Sequence, residues 1–203
     1  MVKEEIPAHS LVTGIDHINL AQPWQHYDET VLFYTSLMAL ETQGQEEFPS
    51  PIGIIRNQVM RSRNDVVRLL LSAAPEDGEQ GDFLNAAYPE HIAIHTTDIV
   101  AMAQRARHRG LEFLPVPENY FEDLQARFNL APEFLDTLRE NNLLYDRDED
   151  GEFLHFYTGT LGTLFIEVVE RRGGFQGWGE NNAPVRLAAQ YRTIRDAERG
   201  IPD

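Results

Sequence analysis

Cysteine is absent from this chain of 203 residues. Its absence excludes disulfides, thiolate zinc sites, iron–sulfur clusters and cysteine nucleophiles together. A bound metal would therefore have to be held by histidine and carboxylate side chains. No apolar run approaches the ~20 residues that a membrane-spanning helix needs, and the first residues, MVKEEIPAHS, lack the apolar core of a signal peptide. We therefore expect a cytoplasmic protein with no membrane partner.

Basic residues are scarce in this sequence. Lysine and arginine together number 17, aspartate and glutamate number 33, and the formal net charge is −16. Because an acidic surface repels phosphate groups, we expect no nucleic-acid partner. A small anionic substrate would need a local positive centre in such a protein, and a metal ion would supply one.

Two stretches of the chain repeat one pattern. Residues 14–20 (GIDHINL) and 89–95 (PEHIAIH) are strand-like, and each carries a histidine that follows an acidic residue and precedes isoleucine. The histidines are His17 and His91. Each stretch is followed by a helical pattern and then by strand-like runs, which predicts one α+β domain built from two βαβββ-like halves.

Local signals place the elements within each half. The second helix is expected from about Thr97 to Arg109, because oxygens of Thr96, Thr97 and Asp98 can cap its first turn and Gly110 suits its end. The remaining predicted elements are a first helix at 26–40, strands at 53–61, 65–72, 152–158 and 163–170, a helical insert before the last two strands, and a final helix that starts near Pro184.

A candidate metal site combines His17, His91 and Glu167. Two histidines and one carboxylate form the facial triad that holds Fe(II) and leaves coordination positions open. Each of the three lies within a strand-like segment, so its side chain points to one defined face. A carboxylate inside the apolar run LFIEVV is costly to bury alone, and metal ligation would remove that cost. From the pattern alone, hydrogen-bonded core side chains are an equal alternative.

A family resemblance is carried by five stretches in order: IDHINL, EHIAIHTTDI, PENYFEDLQARF, LYDRDEDGEFLHFYT and TLFIEVVERRGGFQGWGENN. In these the chain resembles the vicinal oxygen chelate superfamily, specifically the C-terminal half of 4-hydroxyphenylpyruvate dioxygenase. The chain resembles most the dioxygenase-like half of two-domain 3-dehydroshikimate dehydratases. That resemblance is carried by ARFNL, LLYDRD, the histidine at 155 and the tail NAPVRLAAQ. The resemblance implies His17, His91 and Glu167 as metal ligands.

The fold implied by this resemblance is a pair of βαβββ modules that form a half-open barrel around a metal, with a C-terminal helix. Residues 1–203 would form one dioxygenase-like domain. The first module would span 11–75, the second would span 86–172 with the helical insert, and 173–203 would hold a Gly-rich loop and the C-terminal helix.

Several pocket positions differ from the dioxygenase that the chain resembles. Two pocket glutamines of the dioxygenase correspond to Glu90 and His155 in this chain, and a pocket asparagine corresponds to Ser72. Because these positions help to hold the aromatic keto acid of the dioxygenase, the differences put that compound in doubt as the substrate here. Ser72 and Glu90 are candidate substrate-binding residues, as is Phe175, whose alternative role is loop packing. His155 is a candidate general acid or base, or a core histidine. Tyr157 is a candidate hydroxyl donor, or a buried aromatic.

Three functions fit these features. The first is a non-heme Fe(II) oxygenase that acts on a small aromatic or 2-oxo acid. The second is a redox-silent lyase or isomerase that uses Mg²⁺ or Mn²⁺. The third is an accessory metal-binding domain of a 3-dehydroshikimate dehydratase in aromatic-acid catabolism, whose partner would be a sugar-phosphate-isomerase-like barrel. The expected ligand is a small anionic organic acid, and a homo-oligomer is an open alternative to a monomer. Arg68 is expected on the surface of an edge strand, and contact with an anionic substrate is its alternative role.

Overall fold

The computed structural model of the chain describes residues 11–50, 53–73, 88–161 and 164–198. The first half contains β1 (Val12–Gln22), a 3₁₀ turn (Trp24–His26), α1 (Tyr27–Ser36), β2 (Glu41–Ser50), β3 (Gly53–Arg61) and β4 (Arg68–Ala73). The second half contains β5 (Tyr88–Thr96), α2 (Ile99–His108), α3 (Glu118–Phe128), α4 (Pro132–Glu140), β6 (Leu144–Arg147), β7 (Gly151–Tyr157), β8 (Phe165–Gly173) and α5 (Ala183–Glu198). The order βαβββ occurs twice, which confirms the α+β class and the paired modules.

The strands of the first half and β5 are ordered β2-β3-β4-β1-β5, and the remaining strands are ordered β8-β7-β6. By compactness the chain divides into two units. The N-terminal unit comprises Ile15–Ala93 with Thr160–Phe165, and the C-terminal unit comprises Ile94–Gly159 and Ile166–Asp203 with the residues up to Gly14. None of the described helices is both long and apolar enough to cross a bilayer.

In the N-terminal unit, β2, β3 and β4 pair antiparallel and β1 runs parallel to β4. Burial along β1 alternates, so His17, Asn19 and Ala21 point inward from one face of the strand. The apolar core beside these strands is closed by α1. Its buried members are Tyr27, Leu40, Met60, Leu69, Leu71 and Ala73.

Three expectations for this unit were wrong in detail. The first helix is shorter than 26–40 because it ends at Ser36, and Ala39 then adopts a left-handed conformation with φ of 54°. Strand β2 was missed because ETQGQEEFPS is polar and almost entirely exposed, and so carries no apolar alternation. Arg68 is not on an edge, since β4 lies between β3 and β1, and its side chain is only 15% exposed.

In the C-terminal unit, β7 pairs antiparallel with both β6 and β8. Tyr157 lies directly opposite Glu167 in this ladder, so His155, two residues earlier on β7, shares the face of Glu167. The helix α2 starts at Ile99, two residues after the expected Thr97, and its N-cap Asp98 accepts a hydrogen bond from the backbone N–H of Ala101 at 2.9 Å. The helical insert is formed by α3 and α4.

Candidate metal centre

Two histidines of the N-terminal unit point their Nε2 atoms at each other. Nε2 of His17 and Nε2 of His91 lie 3.2 Å apart, and the two rings are nearly perpendicular, at 81°. Two nitrogen ligands at about 2.1 Å from one ion lie roughly 3.0 to 3.4 Å from each other at cis or tetrahedral positions. Both side chains are buried. The pair therefore has the spacing that a shared metal ion requires.

The proton on His17 is directed by its neighbour in the chain. Nδ1 of His17 lies 2.8 Å from a carboxylate oxygen of Asp16. Because a carboxylate only accepts, Nδ1–H donates to it and Nε2 carries the lone pair. A carboxylate behind a metal-binding imidazole orients the ring in this way and increases its basicity.

Arg68 supports the same carboxylate from the other side. Its Nη1 lies 3.9 Å from Oδ2 of Asp16, and its Nη2 also forms a short ion pair with Asp65. The Asp16 side chain is only 4% exposed, and the nearby positive charge offsets part of the cost of burying its carboxylate. On the other histidine, the ring of Phe165 lies 5.0 Å from the ring of His91. The histidine pair is thus held by charge on one side and by an aromatic contact on the other.

Glu167 is a buried carboxylate on β8 with a hydrogen-bond donor beside it. Its Oε1 lies 2.6 Å from Nδ1 of His155, and both side chains are at most 1% exposed. Behind the histidine, Nδ2 of Asn182 lies 3.0 Å from Nε2 of His155. One carboxylate oxygen of Glu167 is therefore engaged by His155.

The three predicted metal ligands are divided between the two units. His17 and His91 belong to the N-terminal unit, and Glu167 belongs to the C-terminal unit. Each of the three is buried and carries an atom that can bind a metal ion. The donor set contains two imidazoles and one carboxylate, which suits a divalent transition metal with open coordination positions. The residues present fit a metal ion.

The other predicted site residues stay predictions, and the structure gives their surroundings. Ser72 is buried on β4, and its hydroxyl donates to Oδ1 of Asn19 at 2.8 Å. Tyr157 is buried on β7, with the ring of His155 at 5.2 Å and the guanidinium of Arg186 at 5.7 Å over its own ring. The Ser72 hydroxyl is thus bonded to Asn19, whereas these contacts of Tyr157 are made by its ring.

Phe175 and Glu90 differ in exposure. Phe175 is buried and stacks on Phe153, with ring centroids 5.4 Å apart and 12° between the planes. The guanidinium of Arg171 lies over both rings, and its Nη1 also donates to the backbone oxygen of Phe175. Glu90 is half-buried on β5, directly before His91.

Sequence reasoning missed three residues that shape the site. Asp16 had a usable signal, because an acidic residue next to a candidate histidine ligand is a natural acceptor for its second ring nitrogen. Asn182 and Tyr120 had no such signal, because they lie in a 3₁₀ turn and in the helical insert. Asn182 contacts His155, and Tyr120 contacts Asn182, only in the folded chain.

Comparison with known proteins identifies relatives of this chain. The family model described as Glyoxalase/Bleomycin resistance protein/Dioxygenase superfamily matches residues 14–153. The chain is 36% identical over 191 residues to a 3-dehydroshikimate dehydratase of Pseudomonas aeruginosa, covering 91% of this chain and 30% of the relative. It is 30% identical over 199 residues to a 4-hydroxyphenylpyruvate dioxygenase of Aspergillus fumigatus, covering 88% of this chain and 49% of the relative.

Solved structures show the same pattern of similarity. A fusion of a xylose isomerase-like TIM barrel with 4-hydroxyphenylpyruvate dioxygenase matches with a TM-score of 0.79 and 34% identity, over 90% of this chain and 30% of that one. A mutant of 4-hydroxymandelate synthase from Streptomyces coelicolor matches with a TM-score of 0.78 and 23% identity, over 90% of this chain and 55% of that one, which shows the fold alone. The chain thus spans about a third of the dehydratase and about half of the dioxygenase.

Proposed function

The chain belongs to the glyoxalase/bleomycin resistance protein/dioxygenase superfamily, and on that premise we propose that it is a non-heme Fe(II) oxygenase acting on a small aromatic or 2-oxo acid. His17, His91 and Glu167 would hold the iron. The observation that carries the proposal is the buried histidine pair, 3.2 Å from Nε2 to Nε2, in which Asp16 keeps the lone pair of His17 on Nε2. Relatives that include a 4-hydroxyphenylpyruvate dioxygenase support the same chemistry.

When bound, the iron would supply open coordination positions for an organic acid and for dioxygen, and oxidation of the organic acid would supply the electrons that reduce dioxygen. The remaining contributions come from the chain itself. Because the net charge of the protein is −16, an anionic substrate would be repelled unless a local positive charge attracts it. Two neutral imidazoles and one carboxylate leave a divalent ion with a net positive charge, which favours an acidic ligand.

The protein side chains orient the ligand atoms and exclude water from them. Asp16 accepts from Nδ1 of His17 and so holds the imidazole ring in its lone-pair orientation. His17, His91 and Glu167 are at most 4% exposed, so bulk water does not compete for their ligand atoms. Ser72 donates to Asn19, and the lone pairs of the serine oxygen remain suited to a substrate hydroxyl.

Oxygen uptake tests this proposal directly. The protein would be loaded with Fe(II) without oxygen, then mixed with oxygenated buffer and a panel of aromatic 2-oxo acids, aliphatic 2-oxo acids and dihydroxylated ring acids. The matched control is Glu167→Ala, with Glu122→Ala on the exposed face of α3 as the surface control. Uptake that requires both a substrate and Glu167 would support the oxygenase. Stoichiometric iron binding with no uptake from any compound would overturn it.

A second candidate is an accessory metal-binding half of a dehydratase. It is favoured by the observation that the chain spans only 30% of the 3-dehydroshikimate dehydratase relative. Under this alternative the protein binds Mg²⁺, Mn²⁺ or Fe²⁺ but converts no substrate. A sugar-phosphate-isomerase-like barrel, prepared as a separate protein, should then change in activity or stability when this chain is added to it. Turnover of a substrate under nitrogen with Mn²⁺ would instead identify a redox-silent lyase or isomerase.

A further inference from the structure

A chain of buried hydrogen bonds leads from the helical insert to Glu167. The hydroxyl of Tyr120 on α3 lies 2.9 Å from Oδ1 of Asn182, Nδ2 of Asn182 lies 3.0 Å from Nε2 of His155, and Nδ1 of His155 lies 2.6 Å from Oε1 of Glu167. All four side chains are at least 97% buried. The order of donors and acceptors along this chain is therefore decided by the protein and not by water.

The orientation of the Asn182 amide follows from its contacts. Nδ2 of Asn182 lies 3.2 Å from the backbone oxygen of Tyr145, which can only accept a hydrogen bond. If the amide were turned over, its own oxygen would face that carbonyl and two acceptors would be buried against each other. The Tyr120 hydroxyl accepts from the backbone N–H of Tyr145 at 2.8 Å, and its proton lies within reach of Oδ1 of Asn182 at 2.9 Å and of the backbone oxygen of Tyr145 at 3.1 Å. The amide is therefore fixed with Nδ2 towards His155.

This orientation determines where the proton of His155 lies. Since Nδ2 of Asn182 is a donor, Nε2 of His155 must be the acceptor and cannot carry a hydrogen. A doubly protonated ring would set two N–H groups against each other in a buried position. The proton is therefore on Nδ1, and it is donated to Oε1 of Glu167.

We propose that Asn182 and Tyr120 hold His155 in its Nδ1-protonated form, so that His155 is a fixed donor to Oε1 of Glu167 and Glu167 binds a metal through Oε2 alone. His155 is then a positioning residue that acts through Glu167. A carboxylate that is held on one oxygen takes one coordination position instead of two, which keeps a further position open for a bidentate ligand. The role towards a metal rests on the proposed function, whereas the tautomer of His155 does not.

The tautomer is tested on the metal-free protein by nitrogen-15 NMR of its histidine side chains at neutral pH. The His155 signals are identified by their loss in His155→Gln. We expect Nδ1 in the range of a protonated ring nitrogen and Nε2 in the range of an unprotonated one. Asn182→Leu should abolish this preference, while Asn181→Ala, a change at the neighbouring exposed position, should leave it intact. Protonated Nε2 in the unmodified protein would overturn the proposal.

The effect on Glu167 is tested by calorimetric titration of the full chain with Mn²⁺, which needs no turnover. His155→Leu removes the donor and should weaken binding by about 10- to 100-fold. His155→Gln keeps an N–H donor and should recover most of that loss, which a purely structural role of the ring would not predict. Equal affinities for the unmodified protein and His155→Leu would overturn the positioning role. No binding by the unmodified protein would overturn the proposed function and leave the NMR result to decide the tautomer.

Discussion

Nδ1 of His17 lies 2.8 Å from a carboxylate oxygen of Asp16, the residue before it in the chain. Neighbouring residues of a strand normally point to opposite faces, so this contact is made by the short aspartate side chain reaching back to the ring edge. The contact places the imidazole proton on Nδ1 and leaves Nε2, 3.2 Å from Nε2 of His91, as the ligand atom. The contact between Asp16 and His17 thus orients one of the two histidines of the site.

Replacing Asp16 by asparagine should weaken metal binding. The amide is a poorer acceptor than a carboxylate, and its N–H₂ group can itself donate to Nδ1 and drive the proton to Nε2. We expect Asp16→Asn to lower the Mn²⁺ affinity by about 10- to 100-fold in a calorimetric titration. Asp28→Asn, at an exposed position in the first turn of α1, is the control and should bind as the unmodified protein does. Equal Mn²⁺ affinities for Asp16→Asn and Asp28→Asn would show that Asp16 does not orient His17 for metal binding.

Tyr120 should couple stability to alkaline pH. Burial raises the pKa of Tyr120 above its usual range. Since the unfolded chain releases this proton near pH 10 and the folded chain keeps it, the stability from a neutral Tyr120 is complete below that pH and is lost as the pH rises through the folded pKa. Urea unfolding between pH 8 and pH 12 should therefore show a falling free energy of unfolding.

Tyr120→Phe should change both the level and the slope of that curve. At neutral pH the variant should lose about 1 to 3 kcal/mol, because the N–H of Tyr145 and Oδ1 of Asn182 lose their hydroxyl partner. Above pH 10 its curve should fall less steeply. Part of the slope will remain, since burial also raises the pKa of Tyr27 to about 12 and that of Tyr145 further. Parallel curves for the two proteins would contradict this account.

Gly179 should be sensitive to substitution for a reason beyond its backbone. It has φ of +69°, and an added Cβ would lie 2.8 Å from the ring of Phe153 and 3.2 Å from Cε1 of His155. Gly110 has φ of +82° with open space around it, so Gly110→Ala measures the backbone strain alone, about 1 kcal/mol. We expect Gly179→Ala to cost more than Gly110→Ala in thermal unfolding and to weaken Mn²⁺ binding, which Gly110→Ala leaves unchanged. Equal losses would mean that the rings move away freely.

Asp98 should contribute to stability as the N-cap of α2. Its carboxylate accepts from the N–H of Ala101, and Oε2 of Glu170 accepts from the N–H of Ile99 at 2.8 Å, so the helix start has two acceptors. Asp98→Ala should lower the free energy of unfolding by about 0.5 to 2 kcal/mol. Thr97→Ala, at the exposed neighbouring position, should change it much less. A loss from Thr97→Ala as large as that from Asp98→Ala would place the cap elsewhere.

The elements that the sequence predicted well are those with strong local patterns. Strand β3 was expected at 53–61 and has those bounds, and α4 begins at Pro132, a residue suited to a first helical turn. The strands β2 and β6 were missed, the first because it is polar and exposed, the second because its four residues are too few to show a period. The position of Arg68 was wrong because strand order depends on pairing between distant segments.

For the candidate site, the chemical types of the ligands and their positions in strands follow from the amino-acid order. His17, His91 and Glu167 lie in three apolar or alternating segments, and alternation alone determines that each side chain points to one face. The assignment of a proton to Nδ1 of His155 needed the tertiary structure. It depends on the amide of Asn182, 27 positions from His155, and on the hydroxyl of Tyr120, 62 positions from Asn182. Local periodicity is a property of neighbouring residues, whereas a buried hydrogen bond is decided by which distant groups the folded chain brings within about 3 Å.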